Sequence, residues 1–392
     1  MQIKKFILID VVNNNNRYCN ISVDESRSRF CYEIGRVGSR GLKRYHSLAQ
    51  LSQFEDDLLK KGYRDISETV QSQEEEKEIE EIPDKEIKNL VERLISFSKT
   101  ALKEAEVDFT SVSDEAIDKV QNLIYELEGV NDVDSFNKII LHIVEIIPRK
   151  MKDVKEVLVA DRRDFRQKII KEQSLLDNIR TARGAETDKK QEGGKTILDR
   201  FGLEIFRSDE ETTKQVVSHL HPETQKQVKA VYTVHNLKTY GNMCSYMERR
   251  GMDKADVHFL YHGSLNANQW GLITQGPHSN PPKGVQITGK MFGFGVYFAN
   301  NSKKSVNYTS LTGSYWAHGD DSTAFLQVYK VAFNNPLNLY TWDSSCTKFK
   351  KGQIGDHDAV FAHKTPGFLV NDEIICYDDS AFTIAYLIEL TK

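Results

Sequence analysis

The sequence has 392 residues, more than one compact core usually needs, and so predicts two or three domains. Its 53 lysines and arginines against 57 aspartates and glutamates give a net charge of -4, which excludes a polycation and confines any nucleic-acid binding to a local basic surface. Five cysteines without a CxxC pair argue against zinc fingers, iron–sulfur clusters and a dense disulfide framework, so we expect no metal. The apolar run in the N-terminal MQIKKFILID is too short for a signal peptide, and we expect a soluble protein in a reducing compartment.

Residues 1–73 predict a small β-rich domain. Apolar stretches separated by polar turns indicate strands at residues 6–12, 18–23 and 29–37. A helix should follow, with apolar side chains at helical spacing: Leu51, Phe54, Leu58 and Leu59. The charge-dense run EEEKEIEEIPDKE then reads as a solvated linker or a first helical turn.

A basic cluster lies within this first domain. Residues 27–44 contain six arginines and lysines, and Glu33 is their only acidic neighbour in that span. Such a cluster could neutralise phosphates of a nucleic acid, with the salt dependence that such contacts carry. It could equally be a solvated strand face, and the residues alone leave both interpretations open.

Residues 84–190 predict a helical bundle. Apolar residues recur at helical spacing over residues 87–95, 117–127 and 136–147, and a long fourth helix is expected over residues 161–179. Gly129 and Pro148, the only glycine and proline between Ile87 and Ile179, fall between the expected helices. The stretch GAETDKKQEGGKT then breaks the pattern and predicts a joint.

Residues 196–392 predict an antiparallel α+β domain. Short β-rich runs occur at residues 203–206, 258–261, 295–299, 325–333, 373–377 and 384–390. In residues 325–333 the apolar side chains fall on both parities, which is typical of a strand buried on both faces. Strands without regularly interposed helices favour antiparallel pairing. No GxGxxG motif follows a strand and no GxxxxGK[ST] motif occurs, so the usual phosphate-binding turns are excluded.

The candidate chemistry is concentrated in residues 261–308, which contain seven glycines and three prolines. Glycines at this density allow a close approach of the backbone to a ligand. Taken singly, His262, Tyr297 and Tyr308 could be structural groups, Ser305 could cap a helix, and Glu373 could simply be exposed at a strand end. A carboxylate that abuts a buried run nevertheless needs a partner or a role.

Taken together, these residues resemble the poly(ADP-ribose) polymerases. YHGS resembles the family's HGS motif, TGKMFGFGVYFANNSKKSVNY its loop, strand and helix, and NDEIICYD the strand that carries its catalytic glutamate. The resemblance implies a catalytic triad of His262, Tyr297 and Glu373, and NAD+ as co-substrate. It also implies an NAD+-binding set: His262, Gly263, Ser264, Asn268, Gly276, Tyr297, Ala299, Lys304, Ser305 and Tyr308.

The resemblance gives each group a role. Gly263 would hold the nicotinamide amide through its backbone, with the Ser305 hydroxyl as a further donor, and Tyr308 would stack on the ring. His262 and Ser264 would contact the adenosine ribose. Cleavage at the ribose builds positive charge, as in glycoside hydrolysis, and Glu373 would stabilise that charge through the 2′-hydroxyl and help to activate the nucleophile.

The resemblance extends to the rest of the chain. Residues 84–190 resemble the family's helical regulatory domain, and EIGRVGSRG is similar to its DNA-break-sensing WGR domain, which implies DNA contacts by Arg36, Arg40, Lys43 and Arg44. Ile34 replaces the motif's tryptophan and cannot supply an aromatic contact to DNA. The expected architecture is thus a WGR-like domain, an all-α bundle and an antiparallel α+β ADP-ribosyltransferase fold.

Two further departures concern the active site. His278 stands where the family usually has an arginine near the adenosine, and Asn371 stands where chain-elongating members often have a tyrosine. We therefore expect an NAD+-dependent protein ADP-ribosyltransferase that forms poly(ADP-ribose) on itself and other proteins, with DNA breaks as an activating partner and no membrane. The alternatives are transfer of a single ADP-ribose, NAD+ hydrolysis, or a DNA-end-binding scaffold with weak catalysis. The expected location is the nucleus in a eukaryote and the cytoplasm or nucleoid in a microbe.

Overall fold

The structure of the protein is a computed structural model. It describes residues 3–69, 80–104, 107, 112–127, 129–187, 195–279, 291–293, 295–311, 313, 314, 317, 318 and 321–392. Contacts divide the chain into two units, one formed by Met1–Glu75 with Lys99–Arg183 and the other by Glu76–Ser98 with Gly184–Lys392. The three expected domains, 1–73, 84–190 and 196–392, therefore stay a prediction. Among the described helices, none combines the length and the apolar character that crossing a membrane requires.

The first unit contains a five-stranded antiparallel sheet in the order β4-β3-β2-β1-β5. Its elements are β1 (Ile3–Asp10), β2 (Asn15–Asp24), β3 (Arg29–Arg36), β4 (Leu42–Ser47), α1 (Leu51–Lys60) and β5 (Arg64–Asp65). Phe6, Ile21, Phe30 and Leu58 form the core between the sheet and α1. The three predicted strands and the predicted helix are all present.

Helices make up the rest of the first unit. They are the C-terminal end of α2 (Lys85–Glu104), α3 (Asp114–Leu127), α4 (Val133–Ile146) and most of α5 (Phe165–Thr187). Phe136 and Phe165 stack at 3.8 Å between ring centroids in their common core. Helix α4 begins at Asp132, whose side chain accepts a hydrogen bond from Ser135 N, and it ends before Pro148 as predicted.

A buried ion cluster lies within this helical part. The Glu172 carboxylate is 1% exposed and contacts Arg149 at 2.6 Å and Lys168 at 2.9 Å. Burial raises the pKa of Glu172, but the two cations outweigh this effect, so its pKa lies below the usual value. The cluster therefore holds a charged carboxylate inside the bundle.

The second unit contains two larger sheets. The first is antiparallel, in the order β6-β7-β16-β12-β8, and the second has the order β13-β14-β15-β9, with β13 and β14 parallel. The strands are β6 (Leu203–Arg207), β7 (Val228–Asn236), β8 (Val257–Gly263), β9 (Val296–Phe298), β10 (Gly313–Ser314), β11 (Ala317–His318), β12 (Thr323–Ala332), β13 (Leu337–Leu339), β14 (Ala359–Ala362), β15 (Glu373–Cys376) and β16 (Phe382–Thr391). The helices are α6 (Ile197–Phe201), α7 (Glu210–Ser218), α8 (Pro222–Gln225), α9 (Leu237–Arg250), α10 (Gln269–Gln275) and α11 (Ser302–Val306).

Strand β12 is buried on both faces, as its apolar pattern predicts. One face packs in a core with Trp270 and Ile273 of α10, and the other packs in a core with Leu220 and Val306. The sheet is mixed with helices and paired antiparallel, which confirms the predicted α+β class.

The N-terminal part of α2 belongs to the second unit. Its apolar face, which includes Ile87 and Leu94, packs in the same core as β12. Arg93 contacts the Glu389 carboxylate at 2.8 Å, and Lys229 reaches the same oxygen at 2.9 Å. Glu389 is 1% exposed, so these two cations are what allow it to remain charged inside the sheet.

Candidate active site

The two sheets of the second unit meet where β8 joins β9. Tyr261 and Ala299 exchange two backbone hydrogen bonds of 2.8 and 3.0 Å. Strand β9 then pairs with β15, and Tyr297 lies opposite Ile375. Glu373 lies two residues before Ile375 and on the same face of β15. The pairings of β8 with β9 and of β9 with β15 therefore bring the ends of these three strands together.

His262 is oriented by the backbone of the neighbouring strand. Its Nδ1 lies 3.0 Å from the carbonyl oxygen of Tyr297. A carbonyl can only accept, so Nδ1 carries the proton. The imidazole packs edge-on against the rings of Phe298 and Tyr329, at 5.9 and 6.1 Å between centroids.

Tyr297 is a buried phenol that holds a loop. Its hydroxyl donates to Gly293 O at 3.1 Å and accepts from Phe292 N at 3.0 Å. Burial raises the pKa of Tyr297 well above its ordinary value, and the charge of Glu373 adds to this. Tyr297 therefore stays neutral and fixes the backbone that leads into β9.

Glu373 begins β15 and is paired with a lysine. Its Oε1 lies 2.5 Å from Lys304 Nζ, and the two side chains are 17% and 15% exposed. Lys304 belongs to α11 and also approaches the carbonyl of Asp372 at 3.5 Å. The ion pair restrains the orientation of the carboxylate through Oε1.

Gly263 lies where strand β8 and helix α11 come closest. A Cβ at this position would sit 1.8 Å from Ser305 O, so only glycine fits. Residues two apart on a strand direct their peptide groups to the same side. Since Tyr261 bonds to Ala299, the N–H and C=O of Gly263 also point away from β12.

Ser305 and Tyr308 lie beside this strand end. The Ser305 hydroxyl donates to Tyr261 O at 3.1 Å, which uses its one proton, so it can serve a ligand as an acceptor. This differs from the donor role that the resemblance implies. Tyr308 is 39% exposed, and burial together with the charge of Glu373 raises the pKa of its phenol. Its ring is thus partly exposed, and its stacking on nicotinamide stays a prediction.

Ser264 and Asn268 follow strand β8, and Gly276 lies at the end of helix α10. Asn268 Nδ2 donates to Ser264 Oγ at 3.0 Å. Asn268 Oδ1 is buried and accepts no hydrogen bond from the described residues. Gly276 ends α10 with a φ of +80°, a conformation that favours glycine. The orphaned Asn268 oxygen fits a ligand with hydroxyl or amide donors, as NAD+ has.

The two departures in the sequence have definite neighbours. His278 Nδ1 lies 3.2 Å from Asp379, whose other oxygen accepts from Ser279 N at 2.6 Å. Asn371 Oδ1 accepts from Asn301 Nδ2 at 3.2 Å. Asp379 was not predicted as a site residue, because an exposed acid after an apolar strand has no distinctive sequence pattern. Residues 280–290 and 294 of the glycine-rich segment lie outside the described residues.

The four predicted DNA-binding residues lie in the first unit and have different surroundings. Arg36 is half-buried and donates to the carbonyls of Asn14, Met151 and Lys152 at 2.8 to 3.0 Å. Arg40 and Arg44 are exposed, and Lys43 is exposed but lies 3.4 Å from Glu33. The guanidinium of Arg36 is thus engaged by the chain itself, and DNA contact by all four residues stays a prediction.

Comparison with known proteins relates part of the chain to one protein family. A family model of the poly(ADP-ribose) polymerase catalytic domain matches residues 208–360. The chain is 25% identical over 290 residues to poly(ADP-ribose) polymerase 1 of Gallus gallus, which covers 69% of this chain and 28% of that protein. It is 27% identical over 191 residues to a putative poly(ADP-ribose) polymerase-like protein, 100L, of Invertebrate iridescent virus 6, covering 47% of this chain and 97% of the viral protein.

Residues 208–360 therefore match the catalytic domain of the poly(ADP-ribose) polymerases, and the chain is similar to members of that family. Its second unit carries the family's NAD+ ADP-ribosyltransferase domain, and His262 and Tyr297 lie within the matched residues. The chain is also 29% identical over 171 residues to the uncharacterized protein 101L of the same virus, covering 43% of this chain and 72% of the viral one. The match to the family model ends before Glu373, so the role of Glu373 rests on its sequence motif and its geometry.

Proposed function

We propose that this protein forms poly(ADP-ribose) on itself and on other proteins, with release of nicotinamide. The observation that carries the proposal is the meeting of Glu373 with the strand end of His262 and Gly263, joined through Tyr297. When bound, NAD+ supplies the ADP-ribosyl group and nicotinamide as the leaving group.

The nicotinamide end is held by backbone and ring. The N–H and C=O of Gly263 pair with the carboxamide, and Ser305 Oγ accepts one of its amide protons. Tyr308 stacks on the flat, cationic ring, which suits an aromatic face. Gly263 supports this assignment, because without a Cβ the strand end packs directly against Ser305 O.

The adenosine side of the site is polar. His262 and the Ser264 hydroxyl contact ribose hydroxyls in this proposal, and the orphaned Asn268 Oδ1 accepts a further proton. Each of these groups is already oriented by a second hydrogen bond, His262 by Tyr297 and Ser264 by Asn268. A site whose groups are oriented in advance loses less entropy when the ligand binds.

Glu373 carries the chemical step. Its carboxylate accepts a hydrogen bond from the ribose 2′-hydroxyl and stabilises the positive charge that develops as the bond to nicotinamide lengthens. It then orients the incoming hydroxyl and receives its proton. Lys304 acts as the orienting cation, since its 2.5 Å contact restrains the carboxylate through Oε1.

Chain length is the finer part of the proposal. The complete set of His262, Tyr297 and Glu373 favours elongation, because the glutamate can activate a ribose hydroxyl as the acceptor. Asn371, held by Asn301, offers an amide where elongating members have an aromatic ring. A second candidate function, transfer of a single ADP-ribose, is favoured by that one residue.

DNA breaks are the proposed activating partner. Arg40, Lys43 and Arg44 supply exposed positive charge next to or on the edge strand β4, and such charge binds phosphates with strong salt dependence. With Ile34 in place of an aromatic residue, we expect binding through phosphates more than through stacking on a DNA end.

Labelled NAD+ with and without nicked DNA tests these proposals. Polymer synthesis gives a high-mass smear on a denaturing gel, and single transfer gives a sharp shift. NAD+ hydrolysis gives free nicotinamide without labelled protein. A smear that requires nicked DNA, weakens with salt and is lost in Arg40→Gln/Arg44→Gln supports DNA activation, and a smear indifferent to DNA contradicts it. Salt-dependent DNA binding without any turnover favours the scaffold alternative.

A further inference from the structure

A chain of buried polar side chains lies directly behind the strand end of His262, Gly263 and Ser264. Its members, Gln269, Gln327 and Tyr329, are 0%, 0% and 1% exposed. They lie on α10 and β12, whose neighbouring side chains form the main apolar core of the second unit. Burying an amide is unfavourable unless its polar atoms find partners, so apolar residues would fill this space at less risk. Packing alone does not explain these three residues.

The hydrogen bonds of this chain run in one direction. Gln269 Nε2 donates to the carbonyls of Ser264 at 3.0 Å and Phe325 at 3.3 Å. Carbonyls only accept, so Gln269 Oε1 must face Gln327, whose Nε2 donates to it at 2.8 Å. Gln327 Oε1 then accepts the Tyr329 hydroxyl at 2.8 Å. The chain thus begins at the Tyr329 hydroxyl and ends at the Ser264 carbonyl, and each bond polarises the next.

The same side chains contact both neighbours of Gly263. Gln327 lies opposite His262 in the β8–β12 pair, and the Tyr329 ring meets the His262 imidazole edge-on. On the other side, Gln269 holds the Ser264 carbonyl. Glycine has no side chain that packing could hold, so the orientation of its peptide groups depends on its two neighbours.

We propose that Gln269, Gln327 and Tyr329 are positioning residues for NAD+ binding. They hold the His262–Ser264 segment so that the peptide groups of Gly263 face the nicotinamide amide. This inference rests on the proposed function of Gly263. The nicotinamide contact exists in the ground state and in the transition state alike, so loosening it raises KM for NAD+ and leaves kcat nearly unchanged.

The test compares two polar-to-apolar substitutions at buried side chains of the second unit. Gln269→Leu removes the two hydrogen bonds that Gln269 Nε2 donates to backbone carbonyls. Thr383→Val is the matched control, and it removes the 2.7 Å contact between the hydroxyls of Thr383 and Thr239. Nicotinamide release gives KM and kcat, calorimetry gives the NAD+ affinity, and thermal unfolding reports stability. We expect Gln269→Leu to raise KM and Kd for NAD+ about tenfold, with kcat within about twofold of wild type. A tenfold change corresponds to the loss of one or two hydrogen bonds that restrain the backbone. Thr383→Val should lower the unfolding temperature with KM unchanged.

The outcomes separate the inference from the proposed function. An unchanged KM in Gln269→Leu overturns the positioning role. A KM that rises in both variants in proportion to the fall in unfolding temperature overturns it as well. In both cases, turnover by the wild type leaves the proposed function intact. Wild-type protein that neither binds NAD+ nor releases nicotinamide overturns the proposed function and this inference with it. If Gln269→Leu does not fold, Tyr329→Phe carries the test, with a KM rise of about two- to threefold expected and an unchanged KM contradicting it.

Discussion

Gly263 is the residue where geometry restricts the side chain most severely. A Cβ there would meet Ser305 O at 1.8 Å, so Gly263→Ala must push α11 away from β8. We expect NAD+ affinity to fall at least about tenfold and the free energy of unfolding to fall by about 1–3 kcal/mol, as for overpacking elsewhere. Calorimetric titration with NAD+ and urea unfolding measure the two effects.

Gly241 provides the matched control. It lies inside α9, and nothing stands within 4 Å of the Cβ that Gly241→Ala would add. Alanine favours the helix, so this variant should be neutral or more stable by up to about 1 kcal/mol, with unchanged NAD+ affinity. Equal affinities in the two glycine variants would contradict the assignment of Gly263.

Some site residues could be predicted from sequence because their chemistry leaves a local pattern. The density of glycine around His262 and the apolar run after Glu373 indicated a backbone-lined site with a buried carboxylate. The ion pair between Lys304 and Glu373 could not be predicted, because it joins residues 69 positions apart through tertiary packing. The spent hydroxyl proton of Ser305 was missed for the same reason: its acceptor, Tyr261 O, lies on another element.

Strand β3 carries an arginine that ties it to the helical part of the same unit. Arg36 donates to the carbonyls of Met151 and Lys152, and the Asn14 amide donates to Lys152 O as well. Arg36→Ala removes the charge-assisted hydrogen bonds to both carbonyls, although Lys152 O keeps the Asn14 amide, so the free energy of unfolding should fall by about 2–3 kcal/mol. Urea unfolding measures this loss, and hydrogen exchange of residues 149–154 localises it.

Arg44→Ala is the control for that variant. Arg44 lies on β4 with an exposed side chain, and surface substitutions of this kind change stability by about 0.5 kcal/mol or less. If the two variants lose equal stability, or if Arg36→Ala loses none, the carbonyl contacts of Arg36 do not hold these elements together.

The helices of the first unit contain a carboxylate whose charge should make stability depend on pH. Although burial opposes it, the contacts with Arg149 and Lys168 lower the pKa of Glu172 in the folded state. A lowered folded pKa stabilises the fold above the unfolded pKa of about 4.3, and this stability is lost as pH falls through the folded value.

Glu172→Gln tests this pH dependence. At pH 7 the variant leaves Arg149 buried without a counterion and should lose about 3–5 kcal/mol in urea unfolding. The gap between variant and wild type should narrow below about pH 4, as the wild-type carboxyl takes up its proton. A gap that is the same at pH 7 and pH 3.5 would show that the charge of Glu172 does not stabilise the bundle.

Elements with strong periodicity could be predicted, and weakly patterned ones could not. Strand β12 and helices α3 and α4 carry dense apolar patterns because they are buried on broad faces. Strand β4 has almost no buried side chain, so its sequence LKRYHS carries no alternation to recognise. The edge position of β4 in the sheet explains why its sequence has no apolar alternation.

The chain as a whole forms two compact units, and the three expected domains stay a prediction. Helix α2 has a periodic pattern over its full length, yet Glu76–Ser98 belongs to the second unit and the residues from Lys99 belong to the first. Periodicity reveals that a helix has an apolar face and says nothing about which core receives it. The boundary within α2 could therefore not be predicted from the sequence.

Transfer from labelled NAD+ by wild type and by Glu373→Gln tests the central claim most directly. The substitution keeps the size of the side chain but removes the charge that stabilises the ribose and attracts Lys304. We expect transfer and nicotinamide release to fall by at least about 10²–10³-fold, while calorimetry shows NAD+ affinity within about threefold of wild type. Turnover that is unchanged in Glu373→Gln would contradict the assignment of the catalytic carboxylate and with it the proposed mechanism.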